Sequence, residues 1–439
     1  MLRRFLEPAV TSDKRSMSNF GRLAAAIDEK TGIVRRVDVL RNSSNDPRVY
    51  CAVAESASLD PILGYSFDNR GGACAVTKAR AMVRAVGECV ERYSSAFCIQ
   101  DLLRRASVAD LENAGSKFYP TKAFYAFSPV QRVDPSFPYA ELDDARLIHW
   151  VGATDFHTNN EVLVPASCVY LPYVFPDEPV THAPISTGLA AGVSPSDCIE
   201  KGVAEIVERD ALMISWKCSD VVPALNVASC LGVDPVIDML LKSTQHLPGS
   251  WHLNLLTRDI EAPVISAAFI AAEGQPLTSF GISANKDVKM ALRGALEEAL
   301  LSRFLINRSS EVINWSEDEP RTYRTLRDHL FGHAISRSLK AKFFEIFGHE
   351  EDVSLGEIIQ RFSIQQTVVD AVREAGMHVL YTDVTSEDVG ALGVHCVRSL
   401  IPFAEPLDAD HEFQHLGGMR LCAAKGREGV FNSNPHPFP

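Results

Sequence analysis

The chain has 439 residues, 46% of them hydrophobic and 23% charged, with a formal net charge of −13. That length exceeds one ordinary core, so one large multi-layer domain or two closely packed ones are expected. The acidic balance excludes a nucleic-acid backbone as the main ligand, since such backbones are held on basic surfaces. It leaves room for a nucleotide bridged to carboxylates by magnesium.

Residues 20–40 read as a helix, a Lys-Thr-Gly turn and a strand, and 48–56 ("RVYCAVAES") as a second strand. "GYSFDNRGGACAVTKAR" reads as a glycine-bearing loop that enters the first long helix near Thr77, and 108–146 as a helix followed by loops. "LIHWVGATDF", "EVLVPASCVYL" and "APVISAAFIAAE" have strand character. A second long helix runs from Ser194 to Ser215, with Ser194-Pro195 as cap and first-turn residue, and a third from Lys286 to Asn307. Residues 316–350 read as a charged, helical surface insertion and 355–375 as one further helix. "HVLYTDVT" and "VHCVRSLIP" are strands, and the end "FNSNPHPFP" is extended. The expected class is α/β or α+β, with mixed β-sheets packed against long helices.

The ten cysteines include no Cys-x-x-Cys pair, which points to reduced thiols in a cytoplasmic protein. "MLRRFLEPAV" lacks the apolar stretch of a secretory signal, and no apolar run is long enough to span a bilayer.

One motif occurs twice. "GECVERYSSAF" and "AEIVERDALMISW" both hold Glu-x-x-Glu-Arg, with Glu205 following Glu88 by 205 − 88 = 117 positions. On a helical wheel Arg80, Arg84, Glu88, Glu91, Arg92 and Ser95 share one face, opposite Met82, Val83, Val86, Cys89 and Val90. Asp197, Lys201, Glu205, Glu208 and Arg209 do the same, opposite Ile199, Val203, Ile206, Val207 and Ile214. A cation one turn before the first Glu recurs as Arg84 and Lys201. In "KMALRGALEEALLSRF", Arg293 and Glu297 form an i, i+4 pair followed by Glu298. These faces are either solvated charged surfaces or the walls of one cleft. Four to six carboxylates in a cleft need a hard cation, for which oxygen ligands select magnesium or calcium. Interleaved arginines would then grip phosphate oxygens.

"ARAMVRAVGECVERYSSAF", "STGLAAGVSPSDCIEKGVAEIVERDALMISW" and "ALRGALEEALLSR" together resemble the YcaO family of ATP-dependent peptide-backbone-modifying enzymes, from "TGIVRRV" at 31–37 onward. The resemblance implies a YcaO fold around a central ATP cleft. It divides the chain into an N-terminal segment (1–60), an ATP-binding core (61–310), a helical segment (311–375) and C-terminal strands with a tail (376–439). It implies Mg-ATP bound without a Walker loop, and no Gly-x-x-x-x-Gly-Lys-Ser/Thr occurs. Carried over by motif, Glu88, Glu91, Glu205 and Glu208 become Mg2+ ligands and Arg209 a phosphate contact. Arg70, Arg84, Asp197, Arg293 and Glu297 join them as ATP-binding residues, with a one-residue shift selecting Glu298 instead of Glu297. The chain departs from the family pattern at Arg84 (commonly Ser), Gly71-Gly72-Ala73 (commonly Gly-Lys-Gly), Val193 (commonly Asn) and Asp197 (commonly Glu).

Pro435, Pro437 and Pro439 alternate at the end of the sequence. Read alone, this is a proline-rich floppy end. Under the resemblance it marks the azoline-forming branch, whose tail enters the active site and whose terminal carboxylate, here that of Pro439, assists proton transfer. The implied reaction is ATP-dependent cyclodehydration of Cys, Ser or Thr in a ribosomal precursor peptide. A thioamide- or amidine-forming enzyme and a non-catalytic scaffold are the alternatives within the family.

About 60 residues precede the core, so no fused leader-binding module is expected. The resemblance instead implies a separate ubiquitin-activating-enzyme-like partner, a flavin-dependent dehydrogenase, and a homodimer within a hetero-oligomer. A competing signal is "HEFQH", with His411 and His415 spaced as zinc ligands and Glu412 as a base of a zinc hydrolase.

Overall fold

The computed structural model describes residues 21, 23–64, 69–309, 322–348, 352–364, 366–425 and 430–438. Fourteen strands are numbered in chain order. They are β1 (Val34–Val39), β2 (Tyr50–Ser56), β3 (Arg70–Ala75), β4 (Arg104–Ala106), β5 (Ile148–Asp155), β6 (Glu161–Pro165) and β7 (Leu189–Gly192). Then come β8 (Ala224–Leu225), β9 (Gly249–Leu255), β10 (Val264–Ala271), β11 (Thr278–Ala284), β12 (Asp352–Val353), β13 (Leu380–Asp383) and β14 (His395–Leu400). Five helices matter for the site: α1 (Lys78–Ser95), α2 (Pro195–Cys218), α3 (Val288–Arg308), α4 (Leu326–Ile335) and α5 (Arg337–Phe347).

The strands form three sheets. The first has the order β1-β2-β3, the second β11-β10-β9-β8-β12, and the third β4-β5-β13-β14-β7 with β6 on β5. All pairings are antiparallel except β12 on β8. The expected mixed α+β architecture is therefore the observed one. The third sheet joins strands from residues 104–192 to strands from 380–400, so the two regions share one layer.

The long helices start where their caps dictate. Thr77 accepts the Arg80 N–H, Ser194 accepts that of Asp197, and the Asp287 carboxylate takes those of Lys289 and Met290. Each cap satisfies amides that the first turn leaves open. Helix α2 is covered on both faces: from Gly202 to Cys218 only Glu205 is not buried. One core packs Ala85, Val86, Cys89 and Val90 of α1 with Val203, Ile206, Val207 and Leu212 of α2. A second packs Ala291, Leu292, Ala295 and Leu296 of α3 on Leu253, Ile265 and Ala267.

Some expectations change. Residues 70–75, read as loop, are strand β3, because all six residues of "RGGACA" pair in register with β2. The helix expected over 355–375 is two helices, Leu355–Arg361 and Val368–Glu374. The described part of the supposed surface insertion packs one side into the protein: Phe343, Ile346 and Phe347 of α5 enter the main core, and His329 and His333 of α4 are buried.

Candidate active site

Strands β3, β7 and β11 are each the last strand of their sheet, so each has an open edge. A short turn leads from each into a long helix, respectively α1, α2 and α3, which doubles back along that edge. The helices reach the edges through polar side chains one turn apart. On β3, the Gly72 N–H donates to Glu88 Oε2 (2.8 Å), while Arg84 Nη1 and Arg92 Nη1 donate to the carbonyls of Cys74 (3.5 Å) and Arg70 (3.1 Å). On β11, the Ile282 N–H donates to Glu298 Oε2 (2.7 Å) and Ser302 Oγ to the Phe280 carbonyl (2.9 Å). Beside β7, the Gly188 N–H donates to Glu205 Oε2 (2.9 Å) and Lys201 Nζ to the Ala191 carbonyl (3.3 Å).

The sequence separations repeat as well. Carboxylate and amide are 16, 16 and 17 residues apart in the three units. Two cation–carbonyl pairs are each 10 apart, and Arg92–Arg70 and Ser302–Phe280 are each 22 apart. The registers match because four helical residues rise about 6 Å and two strand residues about 6.6 Å. Close approach requires glycine at two equivalent places: a Cβ at Gly71 would collide with the Ala85 carbonyl, and one at Gly281 with Ala299 N and the Ala295 carbonyl.

Two further carboxylates cross between units. The Ala191 N–H donates to Glu91 Oε2 (3.2 Å), and the Ala284 N–H to Glu208 Oε2 (2.9 Å). Glu88, Glu91, Glu205, Glu208 and Glu298 thus each hold a main-chain amide with one oxygen, and all five line a cleft of about 530 Å³. Burial pushes the Glu91 and Glu208 carboxyls well above their ordinary range; Glu205 and Glu88 add repulsion at Glu91, and Glu298 and Glu205 at Glu208, where Arg209 opposes the rise. Burial likewise raises Glu298 to about 7. Crowded carboxyls that resist ionisation are short of positive charge.

This chemistry fits Mg2+ and ATP. Among the described residues no three His, Cys, Asp or Glu side chains form a ready-made metal cage. Magnesium does not need one, because it is usually held by one or two carboxylates together with waters and substrate phosphates. The buried Arg209 supplies the complementary signal: its Nε and Nη1 have no hydrogen-bond partner. Nη1 stands 3.2 Å from Glu208 Oε1, within ion-pair distance but outside hydrogen-bond alignment, and Nη2 donates to Glu205 Oε1 at 3.3 Å.

Glu297 differs from these five. It also lines the cleft, but both oxygens are taken by arginines: Arg80 (3.4 Å) and Arg293 (3.2 Å) on Oε1 and Arg84 on Oε2. Arg293 therefore reaches the cleft only through Glu297. Asp197 pairs with Lys201 on the helix surface (2.8 Å) and does not line the cleft, and neither does the Arg70 side chain.

The tail lies in the interior. Pro435, His436, Pro437 and Phe438 are all buried, and Phe438 lines the cleft with its ring 3.6 Å from the Arg209 guanidinium carbon. Four consecutive tail carbonyls each meet a ring nitrogen. Ser433 O faces His411 Nε2 (2.8 Å), Asn434 O accepts from Trp216 Nε1 (2.8 Å), Pro435 O faces His333 Nε2 (2.9 Å), and His436 O faces His329 Nδ1 (3.3 Å). Proline suits this sleeve because it brings a carbonyl but no N–H that would need an acceptor. The floppy-end reading is thereby overturned for 435–438; Pro439 lies outside the described residues.

The zinc reading of "HEFQH" fails on geometry. His411–Phe413 is a single 3-10 turn and Gln414 is extended, so the two histidines do not share a helix face. His411 serves the tail, and His415 Nδ1 lies 2.8 Å from Asp408 in the interior. Sequence reading missed that interior cluster: Lys217 Nζ meets Glu405 Oε1 (2.8 Å), Asp408 Oδ2 (3.0 Å) and the His415 carbonyl (3.0 Å). Its one signal was a lysine near the end of a helix that is otherwise buried on every side.

Residues 72–405 match the family described as YcaO cyclodehydratase, ATP- and Mg2+-binding. Among solved structures, a heterocyclase in complex with substrate and cofactor is similar with a TM-score of 0.76 at 18% identity, covering 99% of this chain and 60% of that one. The chain thus spans well under two thirds of that protein's length. YcaO from Methanopyrus kandleri bound with AMPPCP and Mg2+ matches with a TM-score of 0.62 at 21% identity, covering 89% of this chain and 91% of that one. A chain of the E. coli microcin synthetase McbBCD complex matches with a TM-score of 0.59 at 14% identity, covering 92% of this chain and 96% of that one. These likenesses are of fold.

Proposed function

The chain belongs to the YcaO cyclodehydratase family, and from that premise we propose that it is an ATP-dependent enzyme that closes azoline rings in a ribosomally made peptide. A Cys, Ser or Thr side chain adds to the preceding backbone carbonyl, and the resulting oxygen leaves as phosphate with loss of the amide proton, giving a thiazoline or oxazoline. Bound Mg-ATP supplies the phosphoryl group and the charge neutralisation for that departure. Glu88, Glu91, Glu205, Glu208 and Glu298 would hold the metal side, fixed in place by the main-chain amides they accept. Arg209 would face the phosphates. Pro439, which follows Phe438, would bring its carboxylate to the site as a proton acceptor, with Pro435 and Pro437 stiffening the approach.

The observation that carries this reading is the convergence of five amide-anchored carboxylates and a buried tail on one cleft. The tail also favours ring closure over thioamide or amidine formation, which the family resemblance associates with chains lacking it. A leader-binding partner of the ubiquitin-activating-enzyme type would recruit the peptide, and a flavin-dependent dehydrogenase would act on the product; a homodimeric core is the proposed assembly. The E. coli neighbour is itself a multi-subunit synthetase complex.

The test is thermal unfolding with and without Mg-ATP, beside Glu208→Gln. A ligand that binds only the folded state raises the midpoint. The expected result is a magnesium-dependent rise that the variant loses; equal rises in both proteins would contradict the assignment.

A further inference from the structure

The Arg209 guanidinium carbon stands over the face of the Phe438 ring, 3.6 Å from its centre, and that ring meets Phe280 of β11 edge-on at 6.4 Å. Phe438 therefore bridges α2 and β11, two walls of the cleft. Arg209 is buried and has two neighbours of opposite charge, Glu205 and Glu208, that pull on it from its own helix. Yet its Nε and Nη1 remain without hydrogen-bond partners. A guanidinium free to turn would close on those carboxylates; one covered on a face by an aromatic ring keeps its plane.

We propose that Phe438 is a positioning residue for nucleotide binding: by stacking on Arg209 it holds the open N–H edge toward the phosphates, so docking of the tail and affinity for Mg-ATP are coupled. This rests on the proposed nucleotide reading and adds to it a role for a tail side chain, separate from any tail carboxylate. Coupling of this kind is reciprocal, so bound nucleotide also secures the tail.

The experiment is calorimetric titration of Mg-ATP into wild type, Phe438→Leu and Phe438→Tyr, with steady-state KM and kcat for ATP hydrolysis. Leucine keeps the apolar volume that folding needs but removes the π face; tyrosine keeps both. Phe438→Leu should bind about tenfold more weakly and raise KM more than it lowers kcat, while Phe438→Tyr stays within about twofold of wild type. Wild-type affinity in Phe438→Leu, or equal losses in both variants, overturns the coupling while leaving the nucleotide site intact. Absence of binding by wild type itself would remove the proposed function and this inference together.

Discussion

Glu297 and Glu298 are neighbours in the chain and sit in opposite surroundings. Glu297 is gripped by Arg80, Arg84 and Arg293, whereas Glu298 accepts the Ile282 amide and is raised by burial to about 7. Of the two, only Glu298 repeats the placement of Glu88 on a strand-edge amide and of Glu205 on the amide just before β7.

Substitution should separate the two. Glu297→Gln leaves three guanidiniums without their shared counter-charge and should cost about 3–5 kcal/mol of stability. Glu298→Gln removes a carboxyl that resists ionisation, so it should leave stability nearly unchanged yet weaken the response to Mg-ATP about tenfold or more. Urea unfolding and a Mg2+ titration on both variants check this; the reverse pattern would assign the metal side to Glu297.

Binding should release protons. Glu298 titrates near 7, and Glu91 and Glu208 are held higher than ordinary carboxyls. Near neutral pH Glu298 is therefore partly protonated, and a divalent cation should displace that proton. Apparent affinity for Mg-ATP should therefore rise as pH increases through 7. Calorimetry in two buffers of different ionisation heat measures the release; a binding heat independent of buffer would exclude it.

The long helices and their charged faces were legible because a 3.6-residue period and good caps leave a strong trace over three or more turns. The edge bonds were not, because they depend on which strand ends each sheet, a tertiary fact. Strand β3 was hidden by Gly71 and Gly72, residues that usually signal a loop; Gly71 here allows α1 to lie against the strand. For the third copy of the motif, the sequence left Glu297 and Glu298 open as alternatives. The pair Arg293–Glu297 has good helical spacing, but the lesser signal, Gly281 and Ala295 repeating Gly71 and Ala85, fixes the register at Glu298. The Glu-x-x-Glu-Arg repeat was plain; that Arg84 and Lys201 cap carbonyls was not.

The buried Lys217 offers a test of the interior cluster. Lys217→Met leaves Glu405 and Asp408, both almost fully buried, without their cation and should cost about 3–5 kcal/mol. Adding Glu405→Gln should recover part of the loss, since burial already raises that carboxyl to about 7. Denaturation of the single and double variants measures this; a loss below about 1 kcal/mol in the single variant would mean that the cluster is not strongly coupled.

The tail sleeve should carry a pH signature. Burial lowers His333 from 6.5 to about 4. Between those values the unfolded chain binds a proton that the folded one refuses, so its contribution to stability is present above about 6.5 and lost as pH falls toward 4. Glutamine at 333 can still donate to Pro435 O but does not titrate. Wild type should therefore lose more stability than His333→Gln between pH 7 and 5; parallel losses in urea midpoints would refute the assignment.

Three open strand edges meeting at one cleft would ordinarily be a liability, since bare edge amides recruit strands from other chains. Here the carboxylates that face the cleft also occupy those amides: Glu88 on β3, Glu91 on β7, and Glu208 and Glu298 on β11. The acidic lining thus occupies the edge amides that a strand of another chain would need, and removing it by mutation should expose the chain to edge-to-edge aggregation as well as deprive it of its ligand.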